Sequence, residues 1–339
     1  MLYSLYNPLI INSTNIITTN SYLFNLNFFK TSLRGFTSNY QSLDPSYVTG
    51  FSDAEGTFQV GIYFNDKFKS GLNFRPSFSI HLHEKDSALL DKIQIFFGVG
   101  KIYTNSKDKT AIYIVASVKD LTNVIIPHFL KYPLITQKSG DFELFKLGVQ
   151  KIRSKEHLTS NGIESLLSIK ASMNKGLSDK LISKYPNIIP IVRPLIEPVK
   201  EINNKWLIGF IEGESCFSVR VRERENYKTG YQISLVFTLV QHSRDLSLMN
   251  SIKNHLNCGA MYDKPNINQA HYVISKLSDI NNKLVPLLTE NSLQGSKALD
   301  AIDFCKIAKL MVDKAHLNNE GINNIISIKK GMNYGRGLD

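Results

Sequence analysis

Two short segments of this chain end in a glutamate set among small residues. Tyr47-Val-Thr-Gly-Phe-Ser-Asp-Ala-Glu-Gly56 carries Glu55, and Trp206-Leu-Ile-Gly-Phe-Ile-Glu-Gly-Glu-Ser215 carries Glu214. On a helix, Gly50 and Ala54 share one face four residues apart, as do Gly209 and Gly213. Small residues at that spacing let two helix backbones come close. If the two faces pack on each other, Glu55 and Glu214 emerge side by side at the C-terminal ends, where the helix dipole disfavours a carboxylate. Paired acids repel, and a divalent cation between or beside them is the usual remedy. Such a pair beside a basic surface is what in-line hydrolysis of a phosphodiester needs. The reading left open here is that both are helix-end residues facing solvent.

The two segments belong to a longer repetition. A shift of 159 takes Glu55 to Glu214, His83 and Asp86 to His242 and Asp245, and Gly100 and Tyr103 to Gly259 and Tyr262. It also takes Pro127 to Pro286, Lys138 to Lys297, Asp141 to Asp300, and Ser168-Ile169-Lys170 to Ser327-Ile328-Lys329. A period this long marks a duplicated domain rather than a solenoid unit. Two copies of one fold imply a pseudo-twofold axis, so a site at the seam draws matched residues from both halves.

Within one repeat, Asp44-Pro45 opens a helix to about Ala54. Phe58, Val60 and Ile62 then alternate with Gln59, Gly61 and Tyr63 as a strand. A second strand turns Leu72, Phe74, Phe78 and Ile80 inward, with Asn73, Arg75, Ser77, Ser79 and His81 outward. Asp86 is expected to cap a helix carrying Leu89, Leu90, Ile93 and Phe97 and stopping at Gly98. A hairpin over 101–105 and 110–117 follows, then helices near 120–131, 139–152 and 162–172. The fold class is α+β: two αββαββα domains, each with helices on one face of a four-stranded antiparallel sheet whose other face is left to water or a ligand. The domains are 44–178 and 206–339. They are joined by a Pro-rich, semi-extended linker over 179–205 and preceded by an extension over 1–43.

Hydrophobic residues at 42% against 20% charged residues support real cores and exclude disorder throughout. Lys+Arg 40 against Asp+Glu 29 gives +11, which makes a polyanion the first partner to consider. Cys216, Cys258 and Cys305 have neither disulfide nor zinc spacing. No apolar run is long enough to span a bilayer, so no membrane partner is expected. The extension lacks acids and is rich in Ser, which fits either a mitochondrial transit peptide or a segment with no role in the fold.

The two glutamate segments resemble the LAGLIDADG motif, and the chain resembles a monomeric, two-motif LAGLIDADG homing endonuclease of the kind encoded in organellar introns. The likeness covers roughly 44–337. Ser215 stands where the second motif usually ends in glycine, and both residues fit a tight helix exit. The resemblance implies two αββαββα domains around the paired motif helices, with both sheets forming a saddle on double-stranded DNA and a double-strand break at a long asymmetric target. It implies that Glu55 and Glu214, with the Ala54 and Gly213 carbonyls, hold Mg2+, and that Ca2+ supports binding without cleavage. It places Lys138 and Lys297 near the scissile phosphates, stabilising charge or orienting water.

A further polar residue at the end of the second strand is Gln241 in one half but Leu82 in the other, so the two sites are unequal. By parity Gln241 joins the apolar face with Leu239. His83 and His242, next to this position, are either helix caps or catalysts. The outward residues Gln59, Tyr63, Asn73, Arg75 and Lys101, and Ser218, Arg220, Arg222, Arg224 and Gln232, are the expected DNA readers, since Arg and Gln pair bidentately with base edges. Two other readings remain. One is an RNA maturase that binds its host intron, and the other a transcriptional regulator on the same fold; both tolerate loss of the acids, which this chain keeps. Richness in Asn, Ile, Lys, Tyr and Phe fits a fungal mitochondrial coding sequence.

Overall fold

The computed structural model describes residues 42–336 except positions 198 and 200. The extension up to residue 41 lies outside the described residues. Leu43, counted with the extension in the sequence, is buried in the core.

Helix α1 (Pro45–Glu55) starts as the sequence reads it, with Asp44 accepting from the Ser46 and Tyr47 amides at 2.8 and 3.3 Å and proline in the first turn. Its counterpart α7 (Asn204–Glu214) starts the same way, Asn203 accepting from Lys205 and Trp206 at 2.8 and 3.2 Å. Asp44 and Asn203 are also 159 apart, so the repeat reaches into the stretch read as linker. Eleven residues are too few for an isolated helix to hold in water. Packing must supply the stability, and each of these helices buries seven consecutive residues.

Both sheets are four-stranded and antiparallel, and in each the strands, counted in chain order, lie side by side in the order first, second, fourth, third. In the first sheet, β1 (Gly56–Phe64) and β2 (Leu72–His83) set Phe58 opposite Phe78 and Ile62 opposite Phe74 on the covered face, while Gln59 faces Ser77, Gly61 faces Arg75 and Tyr63 faces Asn73 on the other. Then come α2 (Ser87–Phe97), ended by Gly98 in the left-handed region, and β3 (Lys101–Asn105) with β4 (Thr110–Val115). Ser117, read as strand, instead caps the next helical turn, its Oγ accepting from the Asp120 amide at 3.3 Å. Helices α3 (Ile126–Lys131), α4 (Lys138–Arg153) and α5 (Ser160–Ala171) complete the half. They cover the sheet through Phe58, whose ring meets those of Phe78, Phe129, Phe142 and Phe145 at 5.0 to 5.4 Å.

The joining stretch is more structured than a semi-extended linker. It contains a short helix, α6 (Asp179–Lys184), and is then strapped to the first half: the Ile191 amide donates to Ser168 O at 3.2 Å, and Arg193 pairs with Asp141 at 2.9 Å. Asp300, the match of Asp141, has its arginine from another source, Arg336 near the C-terminus at 3.1 Å. The second half repeats the first with β5 (Ser215–Glu223), β6 (Tyr231–His242), α8 (Leu246–Leu256), β7 (Ala260–Lys264), β8 (Gln269–Ile274), α9 (Val285–Glu290), α10 (Lys297–Val312) and α11 (Asn319–Lys330). The expected cap of α2 does not form. Neither Asp86 nor its match Asp245 bonds its own helix; both carboxylates turn to the opposite half.

Candidate functional site

The seam is the contact of α1 with α7. A Cβ at Gly50 would overlap the Trp206 carbonyl, one at Gly209 would overlap the Tyr47 carbonyl and lie 2.7 Å from the Phe51 nitrogen, and one at Gly213 would run into Ala54 Cβ. Backbone therefore lies on backbone. Two acids that the sequence reading did not single out are buried at the same seam. Asp53 accepts from Trp206 Nε1 at 2.8 Å, and Glu212 from Tyr47 Oη at 3.1 Å, each bond crossing between halves. Burial raises both carboxyls, Asp53 to about 6, although the hydrogen bonds pull the other way. The available signal was an acid in both copies of an otherwise small and apolar segment.

Glu55 and Glu214, two residues further along, leave the seam at the helix ends. Glu55 lies against the other helix, its Oε1 3.2 Å from where a Gly213 Cβ would be. Burial raises the Glu55 carboxyl, with the nearby lysines opposing. Glu214 is pushed up to about 7, by burial first and by the Glu55 charge second. The two carboxylates therefore share one partly dry site and repel each other.

Lys138 and Lys297 open α4 and α10 and reach back under these acids. Lys138 Nζ donates to the Ser52 and Ala54 carbonyls at 3.1 and 3.0 Å; Lys297 Nζ donates to those of Ile211 and Gly213 at 3.5 and 2.9 Å. Each ammonium caps the C-terminal end of its own motif helix, where the dipole is negative. Burial lowers both lysines, and the surrounding carboxylates hold them up. For both Glu55 and Glu214, Lys138 exerts the larger stabilising pull of the two lysines.

Gln241 lies at the end of β6, where the helix-covered face opens onto the site. Its Nε2 donates to Glu214 Oε1 at 3.2 Å, while Leu82 in the other half packs on the core. His83 and His242 are caps, their Nδ1 atoms accepting from Lys85 and Arg244 amides at 3.2 and 3.1 Å. A cleft of about 660 Å3 opens beside Glu55, lined among others by His81, His83 and Lys85 of the first half and by Cys216 and Lys297 of the second.

The donors present are two carboxylates and the Ala54 and Gly213 carbonyls, hard oxygen ligands that suit Mg2+ or Ca2+. Each carbonyl already accepts from a lysine and keeps its second lone pair. Among the described residues no three His, Cys, Asp or Glu side chains gather as a protein-only metal cage.

The open sheet faces carry Gln59, Tyr63, Asn73, Arg75 and Lys101 in one half and Ser218, Arg220, Arg222 and Gln232 in the other, with Arg222 directly opposite Gln232. Arg224 is one residue past β5, closing the hairpin turn through its amide to Gly230 O at 2.8 Å, so the alternating stripe ends at Arg222. Register adds Tyr103 in the first half and Tyr262, Lys264, Gln269 and His271 in the second to the same faces, and it keeps His81, already read as outward, beside them. Parity along β7 and β8, read as it was for β1, would have found the four in the second half.

Comparison with known proteins gives one family. The description "LAGLIDADG endonuclease" matches residues 48–149 and again 207–308. The "Probable intron-encoded endonuclease 2" of Neurospora crassa is 36% identical over 304 residues, covering 86% of this chain and 66% of that protein. For the "Probable intron-encoded endonuclease 3" of the same organism the shares are 85% and 55%. This chain thus spans only part of the length of these relatives. The "Uncharacterized mitochondrial protein RF1" of Saccharomyces cerevisiae is 26% identical over 247 residues, covering 73% of this chain and 42% of that protein. Among solved structures, the meganuclease I-SmaMI bound to uncleaveable DNA superposes with a TM-score of 0.84 at 40% identity, covering 87% of this chain and 99% of that one. I-SmaMI is also matched bound to cleaved DNA, bound to uncleaved target in the presence of calcium ions, and with two lysines 159 residues apart changed to alanine.

Proposed function

The chain belongs to the LAGLIDADG endonuclease family, and from that premise we propose that it is a monomeric homing endonuclease that makes a double-strand break at a long asymmetric DNA site, with Mg2+ as the working ion. The observation that carries the reading is the meeting of Glu55 and Glu214 at the seam, each flanked by a lysine held on a motif helix. Glu55, Glu214 and the Ala54 and Gly213 carbonyls would hold divalent cations. The chemistry such ions supply is charge neutralisation at the phosphate and a lowered pKa for water.

The chain's own residues do the rest. Lys138 and Lys297 present fixed positive charge to the negative charge that grows on the phosphate, and their anchoring carbonyls keep them from reorganising. Gln241 orients the Glu214 carboxylate in one site, and Leu82 leaves the Glu55 site without that help. The open sheet faces read the major groove, with Arg220 and Arg222 as the strongest contacts to base edges and phosphates. The lysine separation in the I-SmaMI variants equals that of Lys138 and Lys297, which supports giving both the same duty. The mitochondrial relative and the chain's composition support a fungal mitochondrial setting.

The test is direct. The protein is incubated with Mg2+ and a duplex joining the two sequences that flank its coding intron. A double-strand break near the junction supports the reading, and tight binding with no break in Mg2+ moves the protein to the maturase or pure-binding class.

A further inference from the structure

Asp86 and Asp245 stand at the starts of α2 and α8, where a carboxylate ordinarily bonds amides of its own first turn. Each reaches across the seam instead. Asp86 Oδ1 accepts from the Ser296 amide at 2.6 Å and its Oδ2 from the Ser296 hydroxyl at 3.1 Å, while Asp245 Oδ1 accepts from the Gln137 amide at 2.7 Å. Ser296 and Gln137 are the residues just before Lys297 and Lys138. Their amides lie at the N-terminal ends of α10 and α4, where helix N–H groups lack partners and the dipole favours an anion. So each half caps the lysine helix of the other.

The same loops are gripped from their own half as well. Asp53 accepts from the Ile135 and Thr136 amides at 3.0 and 3.4 Å and from the Thr136 hydroxyl at 2.6 Å, and Glu212 accepts from the Gln294 amide at 2.6 Å. Gly295 is wedged between the two grips, since a Cβ there would sit 2.9 Å from Asp86 Oδ1 and 3.0 Å from Glu212 Oε1. The lysine that follows is thereby fixed at both ends, its backbone by an acid of the opposite half and its Nζ by carbonyls of its own motif helix.

We propose that Asp86 and Asp245 are positioning residues acting across the seam, Asp86 on Lys297 and Asp245 on Lys138, so that each lysine is set only when the two halves are docked. This rests on the endonuclease reading above. By hydrogen bonds each acid grips one lysine loop only, since among the described residues Asp86 bonds nothing of the Lys138 loop and Asp245 nothing of the Lys297 loop.

The experiment uses end-labelled duplex carrying the wild-type cleavage site, with the two strand cuts timed separately, for Asp86→Ala, Asp245→Ala, the two Asn variants and Lys297→Ala. Amide exchange at Ser296 and Gln137 and binding in calcium are measured alongside. Asp86→Ala is expected to slow the strand that Lys297→Ala slows by about tenfold or more, the scale of small misplacements of a reacting group, and to leave the other strand within about twofold. Asp245→Ala is expected to show the opposite bias. Asn, which keeps an acceptor oxygen, is expected to restore most of the rate, with calcium binding unchanged and exchange faster at Ser296 only in Asp86→Ala. An unchanged strand ratio overturns the proposal, whether or not exchange rises. A wild-type protein that cuts no duplex overturns the endonuclease reading instead, and the exchange data still show whether the acids hold the loops.

Discussion

Glu214 occupies a position that suits a cation better than it suits a carboxylate, and this contributes to how the protein responds to pH. Its carboxyl is raised from 4.5 to about 7, so between those values the folded chain binds a proton that the unfolded chain has released. The associated stability is fully present below 4.5 and is lost as pH rises through 7. In chelator, Glu214→Gln should therefore melt higher than wild type at pH 8, by roughly 1 kcal/mol after discounting for the partial exposure of the site, and match it near pH 4. Thermal melts across that range check this; a variant less stable than wild type at pH 8 contradicts the burial and repulsion assigned to the site. Because proton and cation compete for one carboxylate, divalent affinity measured by calorimetry should tighten from pH 6 to 8. The residue types that carry this site were legible because they recur at one spacing. The partners of Asp53, Glu212, Asp86 and Asp245 were not, because they lie as far as 210 residues away and belong to tertiary structure.

Among the elements, the seam and the strap hold the halves in place. Gly50→Leu or Gly209→Leu inserts a side chain where one helix backbone already touches the other, so either should cost about 1–3 kcal/mol or more through overpacking. Urea melts are the check, and a neutral result would mean the helices are not in backbone contact. Arg193→Ala strands the buried Asp141 carboxylate and should cost about 1–3 kcal/mol, although Arg193 belongs to the connecting stretch. The strands were readable because inward and outward positions alternate strictly, as at Phe58 to Tyr63. The strap was not, since its prolines masked a short helix and one arginine whose partner is set only by docking. Asp86 was read as a local cap because its position allows it, and the opposite half outcompetes its own helix for the carboxylate.

At the scale of the whole molecule, a pseudo-twofold saddle with net charge +11 should bind DNA with a steep salt dependence, log K falling by about 0.9 per phosphate contact for each decade of salt. Arg220→Ala or Arg222→Ala should weaken binding more than Lys67→Ala or Lys69→Ala, which lie in the hairpin turn after β1, and equal losses at all four would argue against an oriented sheet face. The duplication was visible as an unbroken period, and from it the two sheets and their paired helices followed. The inequality of the halves was visible at Gln241 and Leu82 and in the arginines of the second half's outward strand positions. The different arginines on Asp141 and Asp300 needed the folded chain. If the two seam carboxylates run the cleavage, the rate of each strand cut by the Glu55→Gln, Glu214→Gln double variant in Mg2+, with binding followed in Ca2+, reports on them together. Binding that persists while both cuts are lost is the predicted result; cleavage of both strands at the wild-type rate would contradict it.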